Sequence, residues 1–403
     1  MKKLNKFFAV LVALAMMATL CVSMAFAADT HAQTGGTKDN PAKATMTKTL
    51  VMPNGITDPQ KTFTFDFVQT IEATDSDGYV DDAAVTNGTF TKTITPATET
   101  TATDDEGTLV GEANDVFAGI DWPKAGVYEF TVTEEYPTGA AETIETKTND
   151  NKTTTTETYK YSKAEYKVYV GVASDNGTLY VESISAKQTK DDNGNEIQNP
   201  TKVDISDPTD GTANGFNFKN NYNKTVNNIP QGTTDDPTGG IDGDSLYIEK
   251  TITNKDESAV TDEQKAKEFR MNVTVTFPAN GTMTEYKAKV GSTEYTFTKT
   301  DATKVVPLKY GERLVFTDIE IGATWTVTED SYPAYEATYA TTNNGLVKDS
   351  AENDTVVTNT YDKDKDPATG LSINNLPFIV LALVAIGGLC AYVIVRRKSE
   401  DNA

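Results

Sequence analysis

Two lysines, two glutamates and two asparagines stand where their neighbours predict an apolar interior. In "MTKTL", Lys48 alternates with Met46 and Leu50. In "YEFTVTEEY", Glu134 falls in phase with Tyr128, Phe130 and Val132; in "FNFKNNY", Asn220 falls in phase with Phe216, Phe218 and Tyr222. The same three types recur later in the chain. Lys250 shares a phase with Leu246, Ile248 and Ile252, Glu329 with Ala323, Trp325 and Val327, and Asn359 with Val357 and Tyr361. Successive side chains of a strand point to opposite faces. Each half of the chain therefore aims one amine, one carboxyl and one carboxamide at its own core.

Burial changes what these groups can do. An isolated ammonium or carboxylate is costly to bury and tends to neutralise instead, which lowers a lysine pKa and raises a glutamate pKa. A neutral amine is a nucleophile. A protonated glutamate can hydrogen-bond the carboxamide, polarise it and shuttle protons. Attack of the amine on the carboxamide carbon would expel ammonia and leave an amide between the two side chains. The strand phase permits that geometry, and it equally permits a buried Lys–Glu ion pair with Asn as a hydrogen-bond partner. Lys92 in "TFTKTITP" offers a similar Lys-Thr-Ile context, but it follows a turn in mid-domain and has no counterpart in the second half.

The elements that must position these residues read as short β-strands. The chain between its ends is rich in Thr, Val and Tyr, with alternating runs and frequent Asn-Gly, Asp-Gly and Pro turns, the pattern of an all-β sandwich. Two halves repeat one plan. "TKTLVMPNGITDPQKTFTFDF" opens the first and "EKTITNKDESAVTDEQKAKEFRMNV" the second, each with Lys-Thr, then Thr-Asp-x-Gln-Lys, then an alternating strand. "YEFTVTEEY" returns as "TWTVTEDSY", and "FNFKNNY" as "VVTNTY". The expected domains are 45–223 and 246–362, preceded by an N-terminal linker at 28–44 and separated by a polar Gly/Pro-rich linker at 224–245. One short helix is expected at "TDEQKAKEFR", where Thr261 and Gln264 have capping-box spacing.

Composition removes several function classes. The only histidine is His31 and the only cysteines are Cys21 and Cys390. Both cysteines fall in terminal segments that read as targeting sequence, so the exported body has no disulfide, no Cys–His or Ser–His–Asp constellation and no His-rich metal site. No cofactor and no metal site are expected. The formal net charge of −23 argues against nucleic-acid binding and suits a soluble secreted protein. The acidic stretches "DSDGYVDD" (75–82) and "DDNGNE" (191–196) lack the EF-hand spacing and read as solvated turns.

The ends carry addresses. Residues 1–27 have a basic head, an apolar run and Ala25-Phe26-Ala27, a secretory signal peptide. Residues 376–395 form an apolar stretch long enough to cross a bilayer, and Arg396, Arg397 and Lys398 follow, which keeps the extreme C-terminus cytoplasmic.

With these features the chain resembles the Gram-positive, streptococcal-type pilins whose Ig-like domains carry autocatalytic intramolecular isopeptide bonds. The resemblance rests on Lys48 and Lys250 in the first strands, "VTE" at 132–134 and 327–329, and "FKNNY" and "VTNTY" at the ends. It implies two tandem Ig-like β-sandwiches with bonds Lys48–Asn220 and Lys250–Asn359, assisted by Glu134 and Glu329. Pro367-Ala368-Thr369-Gly370, followed by the apolar span and basic tail within 363–403, is similar to a sortase sorting signal with cleavage between Thr369 and Gly370. Asp366 replaces the usual leucine. Sortase, a peptidoglycan precursor or neighbouring pilin subunits are the implied partners, with membrane contact only through the transient C-terminal helix. In related shaft pilins the polymerisation lysine lies shortly before the last strand of the N-terminal domain, which points to Lys202 in "NPTKVDIS" over Lys124 in "WPKAG". The expectation is a structural protein of the cell wall and surface of a Gram-positive bacterium, performing no chemistry beyond its own single-turnover cross-linking. The alternatives are a monomeric wall-anchored adhesin binding a host or matrix ligand and, more remotely, a secreted carboxylate-based hydrolase.

Overall fold

A computed structural model of the protein describes residues 35–70, 85, 88–100, 106–136, 142–149, 153–205, 214–228, 246–340, 342–349 and 353–365. The expected signal peptide, the span 376–395 and the residues Pro367, Ala368, Thr369 and Gly370 lie outside them. The described chain is almost wholly β-structure in several sheets, as its alternating patterns require. Asp262–Ala266 is the one α-helix among the described residues. It carries the expected capping box: Thr261 Oγ1 accepts the N–H of Gln264, and Gln264 Oε1 accepts the N–H of Thr261.

Three strands of the first half matter most: the Lys strand Met46–Pro53, the Glu strand Gly126–Glu134 and the Asn strand Asn217–Asn228. The Glu strand lies inside an antiparallel sheet, between Phe63–Thr70 and Glu165–Asp175. The Lys and Asn strands lie in the facing layer and pair with each other in parallel. What clamps the layers is aromatic. Phe65 from the first layer meets Phe218 from the second at 4.9 Å between ring centroids, and Tyr166 meets Phe216 and Phe218 at 5.0 Å each. Phe63–Thr70 shows why the sequence does this: Phe63, Phe65 and Phe67 point inward and are buried, while Thr64 and Asp66 alternate outward. Burying such rings contributes roughly 25 cal/mol per Å² of apolar surface, which fixes the face each strand presents.

The second half repeats the arrangement. Its Lys strand Leu246–Asn254 pairs in parallel with its Asn strand Asn353–Tyr361, and its Glu strand Thr324–Glu329 pairs with Phe269–Thr276 in the other sheet. The register is the same in both halves. Lys48 stands opposite Phe218, and Asn220 opposite Leu50; Lys250 stands opposite Val357, and Asn359 opposite Ile252. Lysine and asparagine are therefore diagonal neighbours on one face, a separation that a long lysine side chain can span.

At the junction the structure departs from the sequence expectation. The Asn strand runs on to Asn228, into the stretch 224–245 read as linker, and Thr225, Val226 and Asn227 pair with Glu320, Ile319 and Asp318 of Arg313–Glu320 in the second half. The Pro and Gly that suggested a linker begin only at Pro230, and before them Val226 is fully buried. Lys224 pairs with Asp349 at the same place, and the N–H of Asp349 donates to the Gly55 carbonyl at 2.8 Å. Gly322 closes the junction with φ +93°, and a Cβ there would stand 2.4 Å from Pro53 Cβ. Gly322→Ala is expected to lower stability by about 1–3 kcal/mol, through backbone strain and this clash. Chemical denaturation followed by calorimetry checks it; an unchanged midpoint would contradict the close approach.

Candidate functional site

Each half brings its three polar residues together. In the first, Lys48 and Asn220 are fully buried and Glu134 is 2% exposed. Lys48 Nζ donates to Glu134 Oε2 at 2.8 Å, and Asn220 Nδ2 donates to Glu134 Oε1 at 2.8 Å. The carboxyl group thus bridges amine and carboxamide. The backbone N–H of Ser162 donates to Asn220 Oδ1 at 2.6 Å, which fixes the orientation of the carboxamide. Lys48 Nζ also sits 4.6 Å from the Phe63 ring centroid and 5.8 Å from that of Phe65.

The second site places the same three groups in the same order, with a looser contact between lysine and carboxyl group. Lys250 Nζ lies 3.2 Å from Glu329 Oε2, and Asn359 Nδ2 donates to Glu329 Oε1 at 2.6 Å. The Phe269 ring centroid is 4.7 Å from Lys250 Nζ, the counterpart of Phe63 as the first apolar residue of the strand beside the Glu strand. Two details differ. Lys250 Nζ also donates to the backbone carbonyls of Thr251 at 3.0 Å and Val357 at 3.1 Å. Asn359 Oδ1, buried, accepts no hydrogen bond from the described residues.

Desolvation sets the electrostatics. It lowers the pKa of Lys48 to about 8, against the opposing attraction of Glu134, and lowers that of Lys250 to about 8 against Glu329. Burial raises the Glu134 pKa, opposed by Lys48 and by the hydrogen bonds from Lys48, Asn220 and the Ser162 backbone N–H, which also faces the carboxyl group. At neutral pH an ordinary lysine is neutral only about once in several thousand molecules; a pKa near 8 raises that to about one in ten. The site can therefore present an unprotonated amine beside a hydrogen-bonded carboxamide, with a carboxyl group touching both.

The other residues singled out in the sequence lie elsewhere. Lys92 is half-exposed in Thr89–Ile94, outside either core. Lys202 is half-buried in the short edge strand Lys202–Val203, opposite Lys187. In the 191–196 turn, Asp191 accepts the N–H groups of Asn193 and Asn195 at 2.9 and 2.8 Å, so the loop folds on its own carboxylate. The contribution of Ser162 was not legible from residue types, because it comes from a backbone N–H. The aromatic wall was legible, since Phe63 and Phe269 each open the strand that follows the repeated Thr-Asp-x-Gln-Lys.

Comparison with known proteins agrees with the resemblance read from the sequence. A curated pilin from Streptococcus pyogenes serotype M1 is 25% identical over 387 residues, covering 91% of this chain and 93% of its own length. Residues 244–361 match a family model described as a domain of unknown function (DUF7601). Among solved structures, the major pilin from Streptococcus pyogenes is 18% identical, with 80% of this chain and 98% of that one covered and a TM-score of 0.30. An adhesin from Mobiluncus mulieris, described as containing intramolecular disulfide, isopeptide and ester bond cross-links, is 11% identical, with 79% and 99% covered and a TM-score of 0.18. Superpositions this loose carry no argument about the present sites. The resemblance to Gram-positive pilins is one of sequence along nearly the whole chain.

Removing Glu134 would leave the Lys48 amine buried without its carboxyl partner. In an Asn220→Ala background, which isolates the ion pair, adding Glu134→Ala is expected to cost about 3–5 kcal/mol, the range for breaking a buried pair by deleting one partner. Equilibrium denaturation of the two variants measures this; equal stabilities would mean that the pair contributes nothing.

Proposed function

We propose that this chain is a pilus subunit of the Gram-positive cell surface, built of two tandem Ig-like β-sandwiches, each stapled by an autocatalytic isopeptide bond. The bonds are Lys48–Asn220 and Lys250–Asn359. The observation that carries the reading is the repeated triad: each half places a Glu between a buried Lys and a buried Asn, at the same strand register. The similarity to a curated pilin over 91% of the chain supports the biological role. Lys Nζ attacks Asn Cγ, the glutamate takes the amine proton and returns one to the carboxamide nitrogen, and ammonia leaves. Sortase then cleaves between Thr369 and Gly370 and passes the threonine carbonyl to a cell-wall amine or to Lys202 of the next subunit.

An intact-mass measurement of the recombinant body tests the bonds, each expected to remove one ammonia, for a total deficit of about 34 Da. An unmodified mass would falsify the cross-link. Chain refolded from an uncross-linked precursor adds a pH dependence. The lysine pKa values are lowered, so the neutral amine is scarce below about 8 and plentiful above it. The rate of ammonia loss should rise about tenfold from pH 6.5 to 7.5 and flatten beyond 8; a flat profile would count against an amine nucleophile. For assembly, co-expression with a pilus sortase should yield SDS-resistant oligomers that vanish in Lys202→Ala. A ladder that survives this change would exclude Lys202 as the acceptor.

A further inference from the structure

The two triads share a plan but differ at the carboxamide oxygen. As the lysine nitrogen attacks Asn Cγ, the electrons of the C=O bond move onto Oδ1, and the resulting negative charge sits in a dry core. A donor already aimed at that oxygen stabilises this charge without reorganisation. At the first site the Ser162 N–H occupies that position, 2.6 Å from Asn220 Oδ1. It is held there by its surroundings. Ser162 Oγ donates to Asp192 Oδ1 at 2.6 Å, the N–H of Lys219 donates to the same oxygen at 3.0 Å, and the N–H of Lys163 donates to the Asp192 backbone carbonyl at 3.0 Å. The clamp joins the 161–164 segment to the Asn strand itself.

At the second site Asn359 Oδ1 accepts no hydrogen bond from the described residues. Lys250, moreover, has two backbone carbonyl contacts to give up before it can attack, whereas among the described residues Glu134 is the one hydrogen-bond acceptor that holds Lys48 Nζ. Both lysine pKa values are depressed to about 8, so amine availability does not separate the sites.

We infer that the Ser162 backbone N–H is the oxyanion donor for the Lys48–Asn220 bond, that Asp192 is its positioning residue, and that the first bond forms faster than the second. This rests on the cross-link proposal and adds to it a donor and an order. In the step, the N–H stabilises the tetrahedral oxyanion; the C=O bond then reforms, the Cγ–Nδ2 bond breaks, and ammonia leaves with the proton returned by Glu134.

The test uses single-site chains refolded from uncross-linked precursor and followed by intact mass. Asn359→Ala leaves only the first site competent, and Asn220→Ala only the second. The first site is expected to lose its ammonia, about 17 Da, at least about tenfold faster than the second, since one such donor is worth about 10²–10³ in rate elsewhere. Equal rates, or a faster second site, overturn the inference while leaving the cross-links standing. No mass loss at either site removes the cross-link proposal and this inference with it. In the Asn359→Ala chain, Asp192→Ala should slow ammonia loss about tenfold or more. Asp192→Asn, which keeps the acceptor oxygen but not the charge, should retain the rate. Loss of rate in the Asn variant as well would assign the effect to charge and overturn the positioning role. Asp192→Ala in the Asn220→Ala chain should leave the second-site rate unchanged, which separates local positioning from a general loss of fold.

Discussion

A carboxyl group pressed between an amine and a carboxamide, with water excluded, is the interaction on which each half of this protein depends. Outside the sheets all three groups would be solvated and inert towards one another. Inside, charge separation is costly, so the pair is held either as a tight ion pair or as two neutral groups, and burial narrows the gap between those states. The depressed lysine pKa values and the raised Glu134 pKa are two signs of that narrowing. It is maintained by apolar packing, with Phe63, Phe65 and Phe218 walling the first site and Phe269 the second. The aromatic core therefore sets the reactivity of the polar groups as well as holding the sheets together.

The parallel pairing of first and last strands would turn a bond at the proposed site into a mechanical property. Strands pulled from opposite ends load the ladder in shear, and a covalent tie between them would carry tension past everything between. The proposed bonds close loops of roughly 170 and 110 residues, and chain-entropy arithmetic of the kind used for disulfides assigns each about 5 kcal/mol. That is a substantial stabilisation for a chain whose only cysteines are at positions 21 and 390. The junction extends the same logic. The first Asn strand, still paired with Thr153–Lys160 of its own half, also pairs with Arg313–Glu320, so the halves share a backbone ladder as well as the Lys224–Asp349 contact.

Repetition did not make the two sites equal. Strand phase and register are conserved between the halves, because a slip of one residue would turn lysine or asparagine out of the core. The groups around the triad are under no such constraint. One site gains an N–H from a segment that loops over the Asn strand, and the other holds its lysine with backbone carbonyls.

The sequence by itself determined the β-class, the twofold plan, the six triad residues and the capped helix at Asp262–Ala266. Each is written in a period of two, in a repeated order of motifs or in a cap spacing, and these are local or countable. Tertiary structure alone decided that Lys48 and Lys250 lie diagonally across from their asparagines, because parallel pairing joins strands at opposite ends of each half. It also decided that Ser162 and Asp192 belong to the first site, since backbone donors carry no residue-type signature. Lastly, it decided that 224–228 is strand: these residues pair with 153–157 of the first half on one edge, and Thr225, Val226 and Asn227 pair with Arg313–Glu320 on the other, so backbone N–H and C=O groups on both edges are satisfied.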